Sequence, residues 1–174
     1  MLFRSQLSGG MKQRIVIAMA LAGDPDLIVA DEPTTALDVT TEAQIIQLFR
    51  DLRRDFGGAL VVVTHHLGVI AELCDRVYVM YAGEVVEEAL VDDLFHAARH
   101  PYTRALLACD PAHFEGRLTR LPTVPGRLPD LTDPPQGCSF APRCTSVQPH
   151  CHTTPPPRVR VSATQTALCH EVGP

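Results

Sequence analysis

Two adjacent carboxylates, Asp31 and Glu32, directly follow a short apolar run from Leu27 to Ala30. Such a run is typical of a strand buried on both faces of a sheet. Open α/β sheets bind their ligands at the carboxyl ends of these strands. At that edge Asp31 can hold Mg²⁺, and Glu32 can polarise a water molecule for attack on a phosphoryl group. The alternative interpretation is a pair of surface carboxylates in a loop.

A second apolar run, Ala59 to Val63, ends in Thr64 and His65. A histidine at the exit of a parallel strand lies at the same ligand edge, where it can hydrogen-bond a phosphate or the attacking water. An exposed or structurally satisfied histidine is the alternative for this residue taken alone.

A third group, Ser8, Gly9 and Gly10, opens a predicted helix from Gly9 to Leu21. The start of a helix offers unpaired amides and the positive end of the helix dipole, which suits a phosphate. Glycines let that phosphate approach the backbone closely. An ordinary helix cap at Ser8 is the alternative.

The elements that must position these residues alternate between helix and strand, and the pattern predicts an α/β domain with a mostly parallel sheet. Two further helices are predicted, the first of them ended by Gly57 and Gly58. The last two predicted strands flank Ala82 and Gly83, which is typical of a hairpin. The additional elements are the helices Thr41 to Phe56 and Leu67 to Cys74, and the hairpin strands Arg76 to Tyr81 and Glu84 to Val86.

Three separate motifs together resemble those of an ABC-transporter ATPase, namely Leu7 to Arg14, Asp31 to Asp38 and Val63 to His65. The resemblance covers residues 1 to about 110 and implies a partial P-loop NTPase domain that acts on ATP with Mg²⁺. It implies that Asp31 holds Mg²⁺, that Glu32 is the catalytic base and that His65 is the switch histidine. The implied nucleotide-site residues are Ser8, Gly9, Gly10, Gln13, Asp31 and Asp38.

The family places each ATP between two subunits, so a second ABC ATPase subunit is an implied partner. Asp38 lies in the D-loop, which faces that subunit. Position 66 is a histidine, whereas the family more often has aspartate there, so the local partner of His65 differs. The family's phosphate-binding sequence, Gly-x-x-x-x-Gly-Lys-Ser/Thr, does not occur in the 174 residues, whose one lysine is Lys12. We therefore expect these residues alone to be inactive in ATP hydrolysis.

Two later segments resemble the oligopeptide/dipeptide and nickel-peptide importer branch of that family. They are Val91 to Leu107, which contains His100-Pro101-Tyr102, and Gly137 to Cys144. Two small helices are predicted around His100 and Pro101. The resemblance implies energising of di- or oligopeptide import, with transmembrane permease subunits as partners.

The region from Pro111 onward holds four of the six cysteines and is predicted to be an irregular extension, because proline breaks both helices and strands. The four follow a C-x5-C-x6-C-x17-C pattern. Together they can bind a [4Fe-4S] cluster, with Zn²⁺ as the second choice, while four free thiols remain the alternative. The remaining pair, Cys74 and Cys109, are predicted to be packed thiols. The predicted metal ligands are Cys138, Cys144, Cys151 and Cys169.

Composition bounds these interpretations. The net charge of −5 and the absence of a basic run argue against nucleic acid as a partner. The sequence offers neither a membrane span nor a signal peptide, so we expect a cytoplasmic protein. The resemblance to ABC importers further implies that it is peripheral on the inner face of the cell membrane. The predicted domains are residues 1–88 for the ATPase part, 89–110 for accessory helices and 111–174 for the extension. Two other functions stay open: an ABC ATPase outside membrane transport, and a non-catalytic chain that binds a partner or carries a metal.

Overall fold

A computed structural model describes residues 7–111 and 122–173 of the chain. Residues 1–6, at the start of the predicted ATPase part, and residues 112–121, in the predicted extension, lie outside the described residues, as does residue 174. The chain divides after Cys74 into two compact units, 1–74 and 75–174. The α/β class expected from the sequence is confirmed, and each unit has its own sheet.

The first unit alternates helix and strand in the predicted order. Helices α1 and α2 lie on either side of strand β1 along the chain, and strand β2 and helix α3 follow. Their bounds are α1 Gly9–Leu21, β1 Leu27–Asp31, α2 Val39–Asp55, β2 Ala59–Val63 and α3 Leu67–Leu73. The helix α2 begins two residues before its predicted start, because Asp38 caps it and the backbone is already helical at Val39.

Strands β1 and β2 form a parallel pair in which Asp31 lies opposite Val63. One face of this pair carries Ala30, Leu60 and Val62, which pack against a core of helix residues that includes Ile45 and Phe49. The prediction that both strands are buried on both faces is wrong. The helices of the unit cover one face only, and the side chains of the other face are about half exposed: Leu27, Val29, Val61 and Val63.

The second unit is built on a four-stranded antiparallel sheet of order β3-β4-β6-β5. Two short helices follow β4, and both were predicted. The bounds are β3 Arg76–Tyr81, β4 Glu84–Leu90, α4 Val91–Ala97, α5 Pro101–Leu107, β5 Arg158–Arg160 and β6 Thr166–Leu168. Antiparallel pairing therefore outweighs the single parallel pair of the first unit.

The predicted hairpin between β3 and β4 is confirmed. Ala82 and Gly83 at its turn have φ angles of +50° and +83°, the left-handed pair that a tight two-residue hairpin turn requires. Strand β3 buries alternate residues, which matches a sheet with one covered face. The second strand extends beyond the predicted Val86 to Leu90, because it pairs with β3 along this length and also with β6.

The prediction of an extension without strands is wrong. Strand β6 adds to β4 through Ala167 and Thr166, and β5 then adds to β6. The prolines of this region fall outside these two short strands, so they do not interrupt the ladder. Two single turns of 3-10 helix also occur here: Ala141–Arg143 lies between Cys138 and Cys144, and Pro149–His152 contains Cys151.

None of the helices in the described ranges has both the length and the apolar character needed to cross a membrane. The three predicted domains and the two boundaries between them stay predictions.

Candidate functional site

The carboxyl ends of β1 and β2 bring the predicted catalytic residues together. The amide of Glu32 donates to the carbonyl of Val63 at 2.8 Å, which continues the parallel ladder one step beyond β1. The Glu32 carboxylate contacts His65, which lies two residues beyond the end of β2, with 2.8 Å between Glu32 Oε1 and His65 Nδ1. This is the edge at which open α/β sheets bind ligands. The side chain of His65 is 82% exposed, so its other ring nitrogen is free to reach a ligand.

Both carboxylate oxygens of Glu32 are engaged. Oε1 contacts His65, and Oε2 accepts a hydrogen bond of 2.8 Å from the Thr35 hydroxyl. These contacts, that of His65 first, lower the pKa of Glu32 below its ordinary value, so the side chain is a carboxylate at neutral pH. Its backbone has a φ angle of +46°, which a non-glycine residue rarely adopts. Such conformations concentrate at functional sites, where the surrounding structure imposes them.

Asp31, the predicted Mg²⁺ ligand, is the last residue of β1 and is exposed beside Glu32. Magnesium sites commonly use one or two carboxylates and complete the shell with water and substrate phosphates. One exposed carboxylate at the ligand edge therefore fits such a site.

The predicted nucleotide-site residues Ser8, Gly9, Gly10 and Gln13, here called the signature residues, lie at the start of α1. The Ser8 hydroxyl accepts from the Met11 amide at 3.3 Å, which makes Ser8 the N-cap. No acidic side chain lies in the first turn of α1, so the positive end of this helix has no carboxylate of its own nearby. Ser8 and Gly9 are exposed, whereas Gln13 is half-buried. In the described residues no hydrogen bond links these three residues to the Glu32–His65 pair.

Both glycines of the signature pack against the segment that begins α2. A Cβ atom on Gly9 would lie 3.3 Å from Leu37 Cδ2, and one on Gly10 would lie 2.4 Å from Thr41 Cγ2. At the second distance a Cβ atom fits only if Thr41 shifts, so packing alone favours glycine at position 10. The sequence offered a phosphate-based reason for these glycines and no indication of this contact.

Asp38 caps α2 through Thr41. Its Oδ1 accepts from the Thr41 amide at 3.0 Å, and its Oδ2 accepts from the Thr41 hydroxyl at 2.7 Å. These bonds, the hydroxyl's first, lower the pKa of Asp38. The sequence signal for this cap was an Asp directly before a helical apolar pattern, and it was missed. The role of Asp38 toward a second subunit stays a prediction.

His66, the departure from the family pattern, has a partner within the unit. Its Nδ1 lies 3.4 Å from Glu42 Oε1 in the first turn of α2. The His66 amide also donates to the Thr64 hydroxyl at 3.1 Å. Thus each of the two adjacent histidines faces a glutamate, and the second pair joins the start of α3 to α2.

In the second unit, the four predicted tail cysteines line one pocket, and all four are free thiols. The amide of Cys138 donates to the carbonyl of Cys151 at 2.8 Å, and the Cys169 amide donates to the Pro157 carbonyl at 3.1 Å. Gly137 permits the first contact, since a Cβ atom there would lie 2.2 Å from the Cys151 oxygen. The two predicted packed thiols, Cys74 and Cys109, lie elsewhere and are partly buried.

Burial raises the pKa of three of these thiols: Cys138, Cys144 and Cys169. In each case at least one other cysteine of the pocket raises the pKa of the thiol further, so the four thiols interact electrostatically. A bound cation would reverse this effect, because it stabilises thiolates. The chemistry of the donor set therefore fits a metal centre.

The ligand atoms of His150, Cys151 and Glu171 lie within 4.8 Å of one another, the one such group of three among the described residues, and Cys151 and Glu171 also line the pocket. The rings of His150 and His170 also contact edge to face, at 4.6 Å between centroids. His170 further contacts the Thr154 carbonyl at 3.0 Å.

His100 also lines this pocket and is 1% exposed. Its Nδ1 accepts from the Tyr102 amide at 3.1 Å, which caps α5. Burial lowers the pKa of His100 to about 4, so its ring is neutral at physiological pH. The ring of Tyr102 packs on Tyr81 and Phe140, at centroid distances of 4.6 and 5.4 Å.

Two family profiles match the chain. Residues 2–35 match the ABC transporter family, and residues 86–151 match the family described as oligopeptide/dipeptide transporter, C-terminal region. The first match contains Ser8, Asp31 and Glu32. The second contains His100 and the segment of the first three tail cysteines.

Curated relatives match nearly all of the chain. The "Probable peptide ABC transporter ATP-binding protein y4tR" of Sinorhizobium fredii is 51% identical over 94% of this chain and 49% of that protein. The oligopeptide transport ATP-binding proteins OppD and AppD of Bacillus subtilis are 49% and 46% identical, over 45% and 50% of their lengths. The chain thus spans about half the length of the curated relatives it matches.

A solved dimeric ATP-binding cassette in a post-hydrolysis state, bound to ADP and phosphate, is 43% identical over 51% of this chain and 38% of that chain, with a TM-score of 0.45. The two family matches and the names of the relatives agree, because all of them refer to ABC transporters or to peptide transport. The chain is therefore similar, over nearly all of its length, to ATP-binding proteins of peptide ABC transporters, and two of its segments match the ABC transporter family and the C-terminal region of oligopeptide/dipeptide transporters.

Proposed function

We propose that this chain acts in the ATP-hydrolysing subunit of an ABC importer for di- or oligopeptides, on the cytoplasmic face of the membrane. The observation that carries the proposal is the 2.8 Å contact between Glu32 and His65 at the carboxyl ends of two parallel strands, directly after Asp31. An ionised carboxylate beside a histidine and a Mg²⁺-type ligand is the set that water attack on a phosphoryl group needs. The peptide substrate is inferred from the names of the relatives.

Each residue at the edge has one task in this proposal. Glu32 accepts the proton of the attacking water, and Thr35 holds one of its oxygens in place. His65 donates from Nε2 to a phosphate oxygen, while its Nδ1 faces Glu32. Asp31 binds Mg²⁺, which when bound neutralises phosphate charge.

The signature residues serve a nucleotide held chiefly by a second ABC ATPase subunit. Ser8, Gly9 and Gly10 present the amides at the start of α1 to its γ-phosphate, and Gln13 lies one turn further along. Asp38 acts near the same interface, at the start of α2. Transmembrane permease subunits complete the importer and carry the peptide.

We further propose that Cys138, Cys144, Cys151 and Cys169 hold one metal centre, a [4Fe-4S] cluster, with Zn²⁺ as the alternative. A single tetrahedral Zn²⁺ needs its four sulfur atoms about 3.8 Å apart. In the described residues no three of these sulfurs lie within 4.8 Å of one another. This wider spacing around a common pocket favours a polynuclear cluster. The centre would stabilise the segment, because ligand binding there is coupled to folding.

Peptide uptake tests the proposed function. Residues 7–174 replace the matching part of Bacillus subtilis OppD, and uptake of a labelled oligopeptide is measured in cells that lack the native protein. We expect the hybrid to restore uptake and Glu32→Gln to abolish it, since the amide cannot accept the water's proton.

A matched control is Glu72→Gln, the same substitution at a half-exposed glutamate paired with Arg50. It should leave uptake unchanged, because an exposed ion pair contributes little to stability. A folded hybrid that restores uptake equally with and without Glu32→Gln would contradict the proposal and favour a partner-binding role instead.

A further inference from the structure

We infer that His150, Cys151 and Glu171 form a mononuclear Zn²⁺ site, different from the proposed four-cysteine centre. The two sites share Cys151, and the Zn²⁺ site uses none of the other three pocket thiols. Because Cys151 has one sulfur atom, the two centres compete for it. The inference goes beyond the proposed function, since it assigns a ligand to His150 and Glu171, which neither the nucleotide chemistry nor the four-cysteine centre uses.

The three donor atoms lie at the spacing that one cation needs. The ligand atoms of His150, Cys151 and Glu171 all lie within 4.8 Å of one another, and His150 Nε2 lies 3.4 Å from Glu171 Oε1. Zn²⁺ bonds of about 2.0 Å to nitrogen and oxygen place two such atoms about 3.3 Å apart in a tetrahedral shell. Small movements of the side chains therefore suffice to close the site around the ion.

The types of donor also select Zn²⁺. Imidazole nitrogen, thiolate sulfur and carboxylate oxygen are its protein ligands, whereas Mg²⁺ and Ca²⁺ prefer oxygen alone. One thiolate, one carboxylate and a neutral imidazole together balance the two positive charges of the ion. The side chains of His150 and Glu171 are 50% and 38% exposed, so water can reach the fourth coordination position. A site with three protein ligands and one open position exchanges its ion more readily than a closed four-ligand site.

Contacts around the donors hold the two sides of the site together. His170 Nε2 lies 3.0 Å from the Thr154 carbonyl oxygen, and because a carbonyl only accepts, the histidine is the donor. The Thr154 amide in turn donates to the His150 carbonyl at 3.0 Å. These bonds join the turn that carries His150 to the residue directly before Glu171. The His170 ring also packs edge to face on the His150 ring, and such outer contacts orient the ligands of a metal.

An ion pair between His150 and Glu171 is the simpler interpretation of their contact. It requires a protonated ring, and an exposed pair of this kind contributes little to stability. It also gives no reason for a third donor, the buried thiol of Cys151, to lie within 4.8 Å of both. Zinc binding separates the two interpretations, because an ion pair does not hold a cation.

The test measures the Zn²⁺ affinity of the reduced, metal-free 174-residue chain by competition with a chromophoric chelator. The background variant is Cys138→Ser/Cys144→Ser, which disables the four-cysteine centre and retains Cys151. The bond from the Cys138 amide to the Cys151 carbonyl does not depend on the replaced sulfur. The single variant Cys144→Ser, at a half-buried position, is a second background in case the double variant does not fold.

We expect the background to bind Zn²⁺ one to one, and not Mg²⁺. Within it, His150→Gln or Glu171→Gln should weaken Zn²⁺ binding about 100-fold or more, since loss of a contact that merely orients a ligand already costs about 10–100-fold. For the same reason His170→Leu should weaken binding about tenfold. The matched controls are His152→Gln, an exposed histidine of the same turn, and Glu84→Gln, an exposed glutamate of β4; both should leave the affinity within about twofold.

Three results would overturn the inference: a folded background that binds no Zn²⁺, unchanged affinity in His150→Gln and Glu171→Gln, or an equal loss in His152→Gln. Affinity is measured by titration because the zinc of an open site exchanges, whereas metal that survives purification reports the four-cysteine centre.

Reconstitution with iron and sulfide separates this site from the proposed cluster. The unaltered chain, His150→Gln and Glu171→Gln should take up iron equally, because the cluster uses thiols alone. Loss of both iron and zinc in His150→Gln would overturn the inference, since it would place His150 in a single shared centre. An unaltered chain that takes up no iron refutes the cluster, and the zinc titrations then decide this site independently.

Discussion

Gly10 lies so close to Thr41 that a Cβ atom on Gly10 would be 2.4 Å from Thr41 Cγ2. The signature helix is therefore packed directly on the first turn of α2, the turn that Asp38 caps. We predict that Gly10→Ala destabilises the contact between α1 and α2 by about 1–3 kcal/mol, the usual effect of overpacking. Amide hydrogen exchange of both helices measures this change.

The double variant Gly10→Ala/Thr41→Ser should recover most of that loss. Serine removes the clashing methyl group and keeps the hydroxyl that donates to Asp38. A matched control is Gly23→Ala, where a Cβ atom would meet nothing within 4 Å. Equal destabilisation at positions 10 and 23 would contradict the packing account.

A second prediction concerns pH and the cap of α2. The bonds from Thr41 lower the pKa of Asp38, so its folded pKa lies below the unfolded value, near the ordinary 3.8. A carboxyl of this kind stabilises the fold above its unfolded pKa, and that contribution disappears as pH falls through the folded pKa. Protection of the α2 amides should therefore decline below about pH 4 more steeply in the unaltered chain than in Asp38→Asn. Parallel curves for the two proteins would rule the cap out as the cause.

Gly137 gives a third prediction, in the second unit. A Cβ atom at this position would lie 2.2 Å from the Cys151 carbonyl oxygen, which accepts from Cys138. Gly137→Ala should force the two cysteines apart, reduce bound metal and speed alkylation of both thiols. Gly173→Ala is the control, because a Cβ atom there meets nothing within 4 Å. Full metal content in Gly137→Ala would show that the pocket does not depend on this approach.

The fourth prediction concerns the ligands themselves. Serine at any one of Cys138, Cys144, Cys151 and Cys169 should lower bound iron, or zinc, well below the content of the unaltered chain, and loosen the surrounding segment. Serine at Cys74 or Cys109 should leave the metal in place. Visible absorption together with iron, sulfide and zinc analysis makes the distinction. Four freely titratable thiols with no metal would reduce the pocket to ordinary packing.

Local patterns predicted the elements of this chain well. The helix at Gly9 and the strand at Ala59 begin where their apolar patterns begin, and the hairpin turns at Ala82 and Gly83 as expected. Position at the end of a strand also sufficed to bring Glu32 and His65 together. These features depend on neighbours in the chain or on one general rule for parallel sheets.

Burial and long-range pairing were not predictable in the same way. The apolar run at Leu27 indicates a strand but does not say which face is covered. Strands β5 and β6 are three residues each, and they exist because β4 offers an edge far away in the sequence. The Thr41 contact of Gly10 and the Glu87 contact of His100 likewise join residues whose meeting no local pattern encodes.

ATP turnover of the purified hybrid, in which residues 7–174 replace the matching part of OppD, tests the central claim most directly. The measured variants are Glu32→Gln and His65→Ala, with Glu72→Gln as the control. We predict that the first two reduce turnover at least 100-fold, the scale of losing a general base, and that the control retains it. Full turnover in Glu32→Gln, in a hybrid that binds ATP and is folded, would contradict the account.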